Sequence, residues 1–436
     1  MQFYLLVVKM RYLILLQFFI FACIPSKLDN ACDLESPSFL NTMIVKTLIG
    51  DTSAHCGVRI PSPEVNICDL DKSTILQPEY SQKLLGELTL QANKGVSGTP
   101  SADISSITGI TGNFKYSGGV LAPNGKIYGI PYGSDNVIII DPIANTANTA
   151  AITGLTTASG KWQGGVLAPN GKIYGIPFSN PEVLIIDPVT NTADTMSITG
   201  LVGSNKWNGG VLAPNGKIYG IPRNNTSVLI IDPDTNTADI SSITGLVTGG
   251  TDWAGGVLAP NGKIYGIPQD FTSVLIIDPE KNTADTTSIT GLAGLNKWVG
   301  GVLAPNGKIY GIPYSSSNVL IIDPEKNTAN TTTITGIAGA SKWQGGVLGT
   351  DGKIYGIPRD SDSVLIIDPA TNTAEITSIN GLGAVAGKWN GGVLAPNGKI
   401  YALPYATGIQ NVLIIDTKSN GTLCPAVLES GYLNKF

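Results

Sequence analysis

Histidine is almost missing from this chain, whose 436 residues include only His55. Nucleophilic sites of the Ser-His-Asp or Cys-His kind need an imidazole beside the nucleophile. Because His55 precedes the repeats described below, the repeats cannot build such a site. The five cysteines show no zinc-ligand spacing, so we expect no metal and no cofactor.

Charge is scarce as well. Lys, Arg, Asp and Glu together make up 14% of the chain, and the formal net charge is −5. Domains that bind nucleic acids usually cluster Lys and Arg on one face, and this sequence has no such cluster. We therefore expect no nucleic-acid partner.

Apolar runs long enough to cross a bilayer are missing too. Lys9 and Arg11 interrupt the apolar N-terminal stretch and leave residues 12–22. That length is too short for a transmembrane helix and fits the hydrophobic part of a signal peptide. We predict a signal peptide over residues 1–22, with Met10 as an alternative start.

The apolar stretch ends in Ile20-Phe21-Ala22-Cys23, which resembles a bacterial lipobox in the relaxed form found in spirochaetes. The resemblance implies that Cys23 carries lipid. It also implies an exported protein of the cell envelope, either an outer-membrane lipoprotein or a cell-surface protein, which touches the membrane through this anchor only. An ordinary secretory signal with cleavage nearby is the alternative.

The chain does contain a strict repeat. Gly-Gly-Val-Leu-Ala-Pro-Asn-Gly-Lys-Ile-Tyr-Gly-Ile-Pro begins at Gly118, Gly164, Gly209, Gly255 and Gly300, and near-copies begin at Gly345 and Gly391. Successive starts lie 45 or 46 residues apart. Such regularity is typical of one supersecondary unit copied in tandem.

Each copy has the pattern of four short strands. In the copy spanning 162–201, two apolar runs flank Asn170-Gly171, a third occupies 183–186, and a more polar run occupies 193–200. Asn-Gly between apolar runs predicts a tight hairpin with positive φ at both central residues. No run has helical period. Seven such copies predict an all-β fold, a seven-bladed β-propeller.

The ends of the repeat region predict how the ring closes. The seventh copy, 391–416, has no fourth strand after it, whereas a fourth-strand pattern precedes the first copy at 102–109. We predict that this N-terminal strand completes the last blade, which removes the free sheet edges. The implied segments are a leader over 23–99, the propeller over 100–420 and a tail over 421–436.

The repeat resembles a known family. Ala-Pro-Asn-Gly-Lys-Ile-Tyr followed by Val-Leu-Ile-Ile-Asp-Pro-x-Thr-Asn-Thr is similar to the YVTN-type propeller repeat of bacterial surface-layer and periplasmic proteins. The similarity covers about residues 100–420 and implies the propeller fold. It leaves function open, because such propellers serve as binding platforms, as scaffolds and occasionally as enzymes.

If Cys23 carries lipid, four cysteines remain for disulfides in an exported protein. They are Cys32, Cys56, Cys68 and Cys424, and four cysteines allow three connectivities. A bridge from Cys424 to any of the others would lock the closure of the ring.

The loops alternate between two faces of the predicted ring. The near-identical Pro-Asn-Gly-Lys and Asp-Pro-x-x-Asn-Thr turns lie on one, which we call the uniform face. The connections that differ between copies lie on the other, the variable face. One aromatic per copy precedes Gly-Gly by two residues: Tyr116, Trp162, Trp207, Trp253, Trp298, Trp343 and Trp389. The position after Ile-Pro or Leu-Pro carries Tyr132, Phe178, Arg223, Gln269, Tyr314, Arg359 and Tyr405.

Aromatic and Arg side chains at loop edges are typical of recognition surfaces, so both sets are candidate ligand-binding residues. The alternative for the Trp set is a wedge packed in the core. We expect a monomer that binds a protein or a glycan through the variable face.

Two other functions stay open. One is an enzyme of the lactonase or lyase kind that uses carboxylates in the central channel, and the other is a structural surface-layer element. The repeated aspartates are more typical of turns than of catalysis. They are Asp141, Asp187, Asp232, Asp278, Asp323 and Asp368.

Overall fold

The computed structural model describes Cys32, residues 36–49, Cys56, and residues 65–247 and 249–433. The predicted signal peptide (1–22), Cys23 and His55 lie outside the described residues. The chain divides into two compact units, one up to Asn66 and one from Ile67 onward. The first contains helix α1 (Pro37–Ile49) and the disulfide Cys32–Cys56.

The second unit contains seven four-stranded antiparallel sheets, which confirms the seven-bladed propeller. The first strands of neighbouring blades contact one another around the axis. These innermost strands are β2 (Tyr116–Leu121), β6 (Trp162–Leu167), β10 (Trp207–Leu212), β14 (Trp253–Leu258), β18 (Trp298–Leu303), β22 (Trp343–Leu348) and β26 (Trp389–Leu394). The second strands are β3 (Ile127–Pro131), β7 (Ile173–Pro177), β11 (Ile218–Pro222), β15 (Ile264–Pro268), β19 (Ile309–Pro313), β23 (Ile354–Pro358) and β27 (Lys399–Pro404).

The third and fourth strands complete each blade. The third strands are β4 (Val137–Asp141), β8 (Leu184–Asp187), β12 (Leu229–Asp232), β16 (Leu275–Asp278), β20 (Leu320–Asp323), β24 (Leu365–Asp368) and β28 (Leu413–Asp416). The fourth strands are β5 (Thr146–Ile152), β9 (Thr192–Asp194), β13 (Thr237–Asp239), β17 (Thr283–Asp285), β21 (Thr328–Asn330), β25 (Thr373–Glu375) and, for the last blade, β1 (Ser101–Asp103).

Strand β1 closes the ring as predicted. It pairs antiparallel with β28, with Ser101 opposite Asp416 and Asp103 opposite Ile414. Beyond the strand, the amide of Val412 donates to the carbonyl of Ile107 at 3.0 Å. The last blade therefore combines one N-terminal strand with three C-terminal ones.

Most fourth strands are shorter than the sequence pattern indicated. In the second blade the predicted strand 193–200 ends at Asp194. The Asp194 carboxylate accepts the amides of Met196 and Ser197 at 2.7 and 3.1 Å, and this local turn competes with strand extension. The chain then bends inward, and buried Ile198 accepts the amide of Val183.

The Asn-Gly hairpins also differ from the prediction. Gly125 has φ +74°, but Asn124 is not among the residues with positive φ. The Gly125 amide donates to Ala122 O and the Ala122 amide to Lys126 O, both at 2.9 Å. This is a turn over Pro-Asn followed by one left-handed glycine, the pattern of a three-residue hairpin loop.

The turns of the uniform face join neighbouring blades. The Tyr128 hydroxyl donates to Asn191 Oδ1 of the next blade at 2.8 Å, and Asn124 Nδ2 donates to the carbonyl of Pro188 at 3.1 Å. The Tyr-to-Asn bond occurs in blades one to five, and the Asn-to-Pro bond occurs in every blade except the sixth. The repeated Tyr and Asn residues thus stabilise contacts between blades. They explain why the uniform face varies so little between copies.

Near the axis, segments from both ends of the chain cover the uniform face. The N-terminal part contains short 3-10 helices (Ile67–Asp69, Thr74–Leu76 and Pro78–Tyr80) and helix α2 (Ser81–Ala92). The C-terminal part contains helix α3 (Pro425–Leu428), and Tyr432 and Leu433 lie against the innermost strands β18 and β22. We call the two segments, 67–92 and 423–433, the cap.

The two segments of the cap are joined to each other and to the ring. Cys68 and Cys424 form a disulfide with a Cα–Cα distance of 5.8 Å, and Gln77 Nε2 donates to Pro214 O at 2.8 Å. Ile75, Leu76 and Leu84 of the cap are fully buried in the same apolar core as the blades. From Ile67 onward, the leader is thus part of the propeller unit. None of the described helices has the length and apolar character needed to span a membrane.

Candidate functional site

The residues that follow Ile-Pro converge on the variable face. The Tyr132 ring centroid lies 5.8 Å from that of Phe178 and 5.5 Å from that of Tyr405. Tyr405 in turn lies 5.4 Å from Phe114. Blades one, two and seven therefore contribute aromatic side chains to a single cluster. We call the set Tyr132, Phe178, Arg223, Gln269, Tyr314, Arg359 and Tyr405 the axial cluster.

Two arginines complete the contacts of the axial cluster. The Arg223 guanidinium carbon lies 5.1 Å from the Phe178 ring centroid, and that of Arg359 lies 5.4 Å from the Tyr314 ring centroid. Both distances fit cation–π contacts. Burial lowers the pKa of Arg223, and Tyr132, Tyr314 and Tyr405 from three other blades act in the opposite direction. The structure thus brings together six of the seven residues of the irregular set, whereas the Gln269 side chain bonds Asn296 Oδ1 outside that set.

Exposure differs within the axial cluster. Phe178 and Gln269 are 4% and 6% exposed, whereas the two arginines and three tyrosines are half-buried. Burial raises the pKa of Tyr405, and neighbouring Tyr132 raises it further. The Tyr405 hydroxyl therefore stays protonated at neutral pH. The cluster presents aromatic faces, hydroxyls and guanidinium groups to a ligand.

The Trp set is placed differently. The six tryptophan side chains are 0–3% exposed and Tyr116 is 1% exposed. Each indole donates to a backbone carbonyl just before the third strand of its own blade, as Trp207 Nε1 does to Ser227 O at 2.9 Å. These rings are packed in the core, as in the alternative reading of the sequence, and present no open face to a ligand.

Lysines that precede the Trp set were not assigned a role from the sequence. Lys206 is 1% exposed, and its Nζ donates to the carbonyls of Asn180 and Gly203 at 2.9 and 3.0 Å. Burial lowers its pKa to about 8. Equivalent lysines bond a carbonyl three residues upstream in six blades: Lys115, Lys161, Lys206, Lys297, Lys342 and Lys388. They stabilise the loops that carry the axial cluster.

A further ring of residues follows the Trp set by one position. Asn208 and Asn390 are 2% and 3% exposed, and the side-chain oxygen of each has no hydrogen-bond partner. Asn390 Nδ2, in the seventh blade, donates to Ser117 Oγ of the first blade at 3.0 Å. This position is polar in five blades and apolar in two, where Ala254 and Val299 occupy it, and the sequence analysis assigned it no role.

The narrowest part of the ring consists of glycine. A Cβ on Gly300 would lie 2.9 Å from the Cα of Gly345 in the next blade, so neighbouring innermost strands touch through their backbones. The repeated aspartates lie in the uniform-face turns instead. Asp141 accepts the amides of Ile143 and Ala144, and these bonds help to lower its pKa. Among the described residues, no three His, Cys, Asp or Glu side chains group as metal ligands would.

Solved structures share this fold at low sequence identity. Streptogramin B lyase superposes with a TM-score of 0.59 at 10% identity, covering 73% of this chain and 98% of its own. Virginiamycin B lyase from Staphylococcus aureus gives 0.58 at 10% identity over 72% and 99%. The extracellular domain of a one-component system of B. thetaiotaomicron gives 0.53 at 10% identity over 72% and 42%. No protein-family model and no curated protein sequence matches the chain. These likenesses concern the fold alone.

Proposed function

We propose that this chain is an exported recognition protein that binds one asymmetric ligand, a protein or a glycan, at the axial cluster of the variable face. The observation that supports it is the convergence of unlike side chains from successive blades at one mouth of the ring. The cap covers the opposite mouth with the chain's own residues. A binding surface on the variable face leaves the scaffold contacts of the uniform face untouched.

The composition of the axial cluster favours one ligand over several identical ones. Equivalent sugar pockets would need the same side chains in every blade, whereas this position carries Tyr, Phe, Arg, Gln, Tyr, Arg and Tyr. Aromatic and Arg side chains give the largest contact energies at interfaces, about 2 kcal/mol or more when they act as hot spots. Tyr314, Arg359 and Tyr405 are half-buried members with surface left for contact.

Export and anchoring are a second part of the proposal. Two disulfides fit a protein that matures in an oxidising compartment. Together with the lipobox-like sequence, they support lipid attachment at Cys23. A Cys23→Ala protein should lose both palmitate labelling and partition into the detergent phase. Retention of either by the variant would contradict the anchor.

The binding proposal is tested on the full chain with a glycan array and a panel of extracellular-matrix proteins. For any ligand found, Tyr314→Ala and Tyr405→Ala should each weaken binding at least fivefold. Lys172→Ala, on the uniform face, is the matched control and should bind as the wild type does. Titration calorimetry should give one ligand per chain. Six or seven small ligands per chain, or equal loss in the control, would contradict the proposal.

The enzymatic alternative would place its chemistry in the central channel. Two neighbours in fold are lyases, but at 10% identity their activity carries no weight for this chain. The enzyme reading of the sequence required carboxylates converging in the channel, where the structure has glycine backbones. Recognition without turnover is therefore the function that the axial cluster supports best.

A further inference from the structure

Two arginines of the axial cluster occupy the same repeat position but have different partners. Arg359 Nη1 donates to Asp360 Oδ1 at 2.9 Å, so the next residue in the chain provides its counter-ion. In the third blade, Asn224 stands where Asp360 stands in the sixth. Arg223 consequently has no carboxylate within 4 Å and no side-chain hydrogen bond among the described residues, and its Nε is buried without a partner.

Asp270, whose charge affects the pKa of Arg223, is already engaged. It accepts the amide of Asn296 at 2.5 Å and the hydroxyl of Thr251. Its charge acts on Arg223 from a distance without forming an ion pair. The buried Nε of this half-buried guanidinium costs free energy, because that donor loses water without gaining an acceptor.

The surroundings of Arg223 fit a bound anion. Phe178 lies against one side of the guanidinium, and Tyr132, Tyr314 and Tyr405 of other blades lie near enough to influence its pKa. Planar guanidinium groups bind carboxylates and other oxyanions through paired N–H donors. Tyrosine hydroxyls add donors, and their rings add apolar contact area.

We propose that Arg223 binds an oxyanion carried by the ligand, a carboxylate, sulfate or phosphate group, and that it supplies the charge specificity of the axial cluster. This inference rests on the proposed function, since it names the chemistry that the same site recognises. Arg359 does not share the role, because Asp360 already neutralises it. An acidic saccharide is one source of such a group, and a free oxyanion is another.

The experiment uses the full chain and three probe arms: glucuronate, inorganic sulfate and inorganic phosphate, each against neutral glucose. Thermal unfolding with millimolar probe is compared between the wild type, Arg223→Gln and Asn224→Asp. Asn224→Asp keeps the arginine and supplies the missing counter-ion, so it removes the site without removing its cation. Asn224→Ala is the matched control.

We expect at least one anionic probe to raise the unfolding temperature of the wild type and of Asn224→Ala. Arg223→Gln and Asn224→Asp should each reduce the affinity at least tenfold. Preference for glucuronate over both inorganic ions would point to an acidic saccharide. Preference for an inorganic ion would point to a free oxyanion. Absence of any anion effect on the wild type, or an effect that survives in Asn224→Asp, would overturn the inference.

Failure of this inference differs from failure of the proposed function. A ligand that loses affinity with Tyr314→Ala but not with Arg223→Gln would leave the recognition site in place and remove its anion specificity. A ligand that loses affinity with neither variant would overturn both.

Discussion

The central glycines provide the sharpest test of how tightly the ring is packed. Gly300 has φ +79°, and an added Cβ would lie 2.9 Å from the Cα of Gly345. Gly216, in a uniform-face turn, has nearly the same φ of +77° but no heavy atom within 4 Å of the added Cβ. Alanine therefore meets about the same φ strain at both positions. Only at Gly300 does its Cβ also clash with a neighbouring backbone.

The expected energies follow from these two terms. A left-handed conformation costs a residue with a Cβ about 1–2 kcal/mol, which is the whole effect expected for Gly216→Ala. Overpacking adds about 1–3 kcal/mol, so Gly300→Ala should lower the free energy of unfolding by about 2–5 kcal/mol. The clash cannot be relieved by a rotamer change, because the position of an alanine Cβ is set by its own backbone and the atom it meets, Gly345 Cα, is also backbone.

The measurement is equilibrium unfolding in guanidinium chloride, monitored by tryptophan fluorescence from the buried rings. Gly255→Ala, whose Cβ would lie 3.1 Å from Gly300 Cα, serves as a second test of the same contact. If Gly300→Ala and Gly216→Ala lose the same free energy, the innermost strands have room to move apart and the packing argument is refuted.

Three further predictions concern the buried polar groups and the cap. Burial raises the pKa of Asp252, so the free-energy cost of its buried charge is absent at low pH and appears as pH rises. Asp252→Asn should therefore stabilise the protein at pH 7. Denaturant titrations should show that this gain in unfolding free energy vanishes at acidic pH. Lys206→Met should lower the free energy of unfolding, measured by denaturation, by about 1–3 kcal/mol, since two carbonyls lose their donor. The half-exposed control Lys172→Met should lower it by less than about 0.5 kcal/mol. Equal losses would contradict the role of the buried amine. Replacing Cys68 and Cys424 together with serine should lower the unfolding free energy by about 2–5 kcal/mol, and an unchanged denaturation midpoint would show that the cap holds without the bond.

The architecture was predictable because all seven copies of the repeat predict the same four-stranded unit. Each copy carries the same turn residues and the same apolar runs, so an error in one unit would have to recur in all. The missing fourth strand after Asp416 and the extra pattern near Ala102 also leave one way to close the ring. The repeat also indicated the axial cluster, because the irregular residues after Ile-Pro depart from an otherwise uniform pattern.

Other features depend on contacts between distant segments and gave no local signal. A β-bulge between Trp162 and Gly165 shifts the register of the innermost strand, so simple alternation does not tell which way the indole points. Asp351 illustrates the same limit. Its carboxylate accepts the Tyr355 hydroxyl at 2.8 Å, whereas in the first five blades an asparagine of the next blade accepts the corresponding hydroxyl. Asn420 occupies the corresponding position after Asp416 in the last blade, but its side-chain amide donates to the carbonyl of Lys94 instead.

Closure by strand β1 also sets an order of events during synthesis. Ser101 leaves the ribosome about 300 residues before its partner Asp416, a delay of roughly 15–60 s at ordinary elongation rates. Until then, the blades already made form an open arc with an exposed face at each end. The third strands of the blades are nearly identical, so β1 can pair with the wrong copy, in its own chain or in a neighbouring chain. The pair Asn390 and Ser117 occurs only at the junction of the seventh and first blades and distinguishes it from the other six.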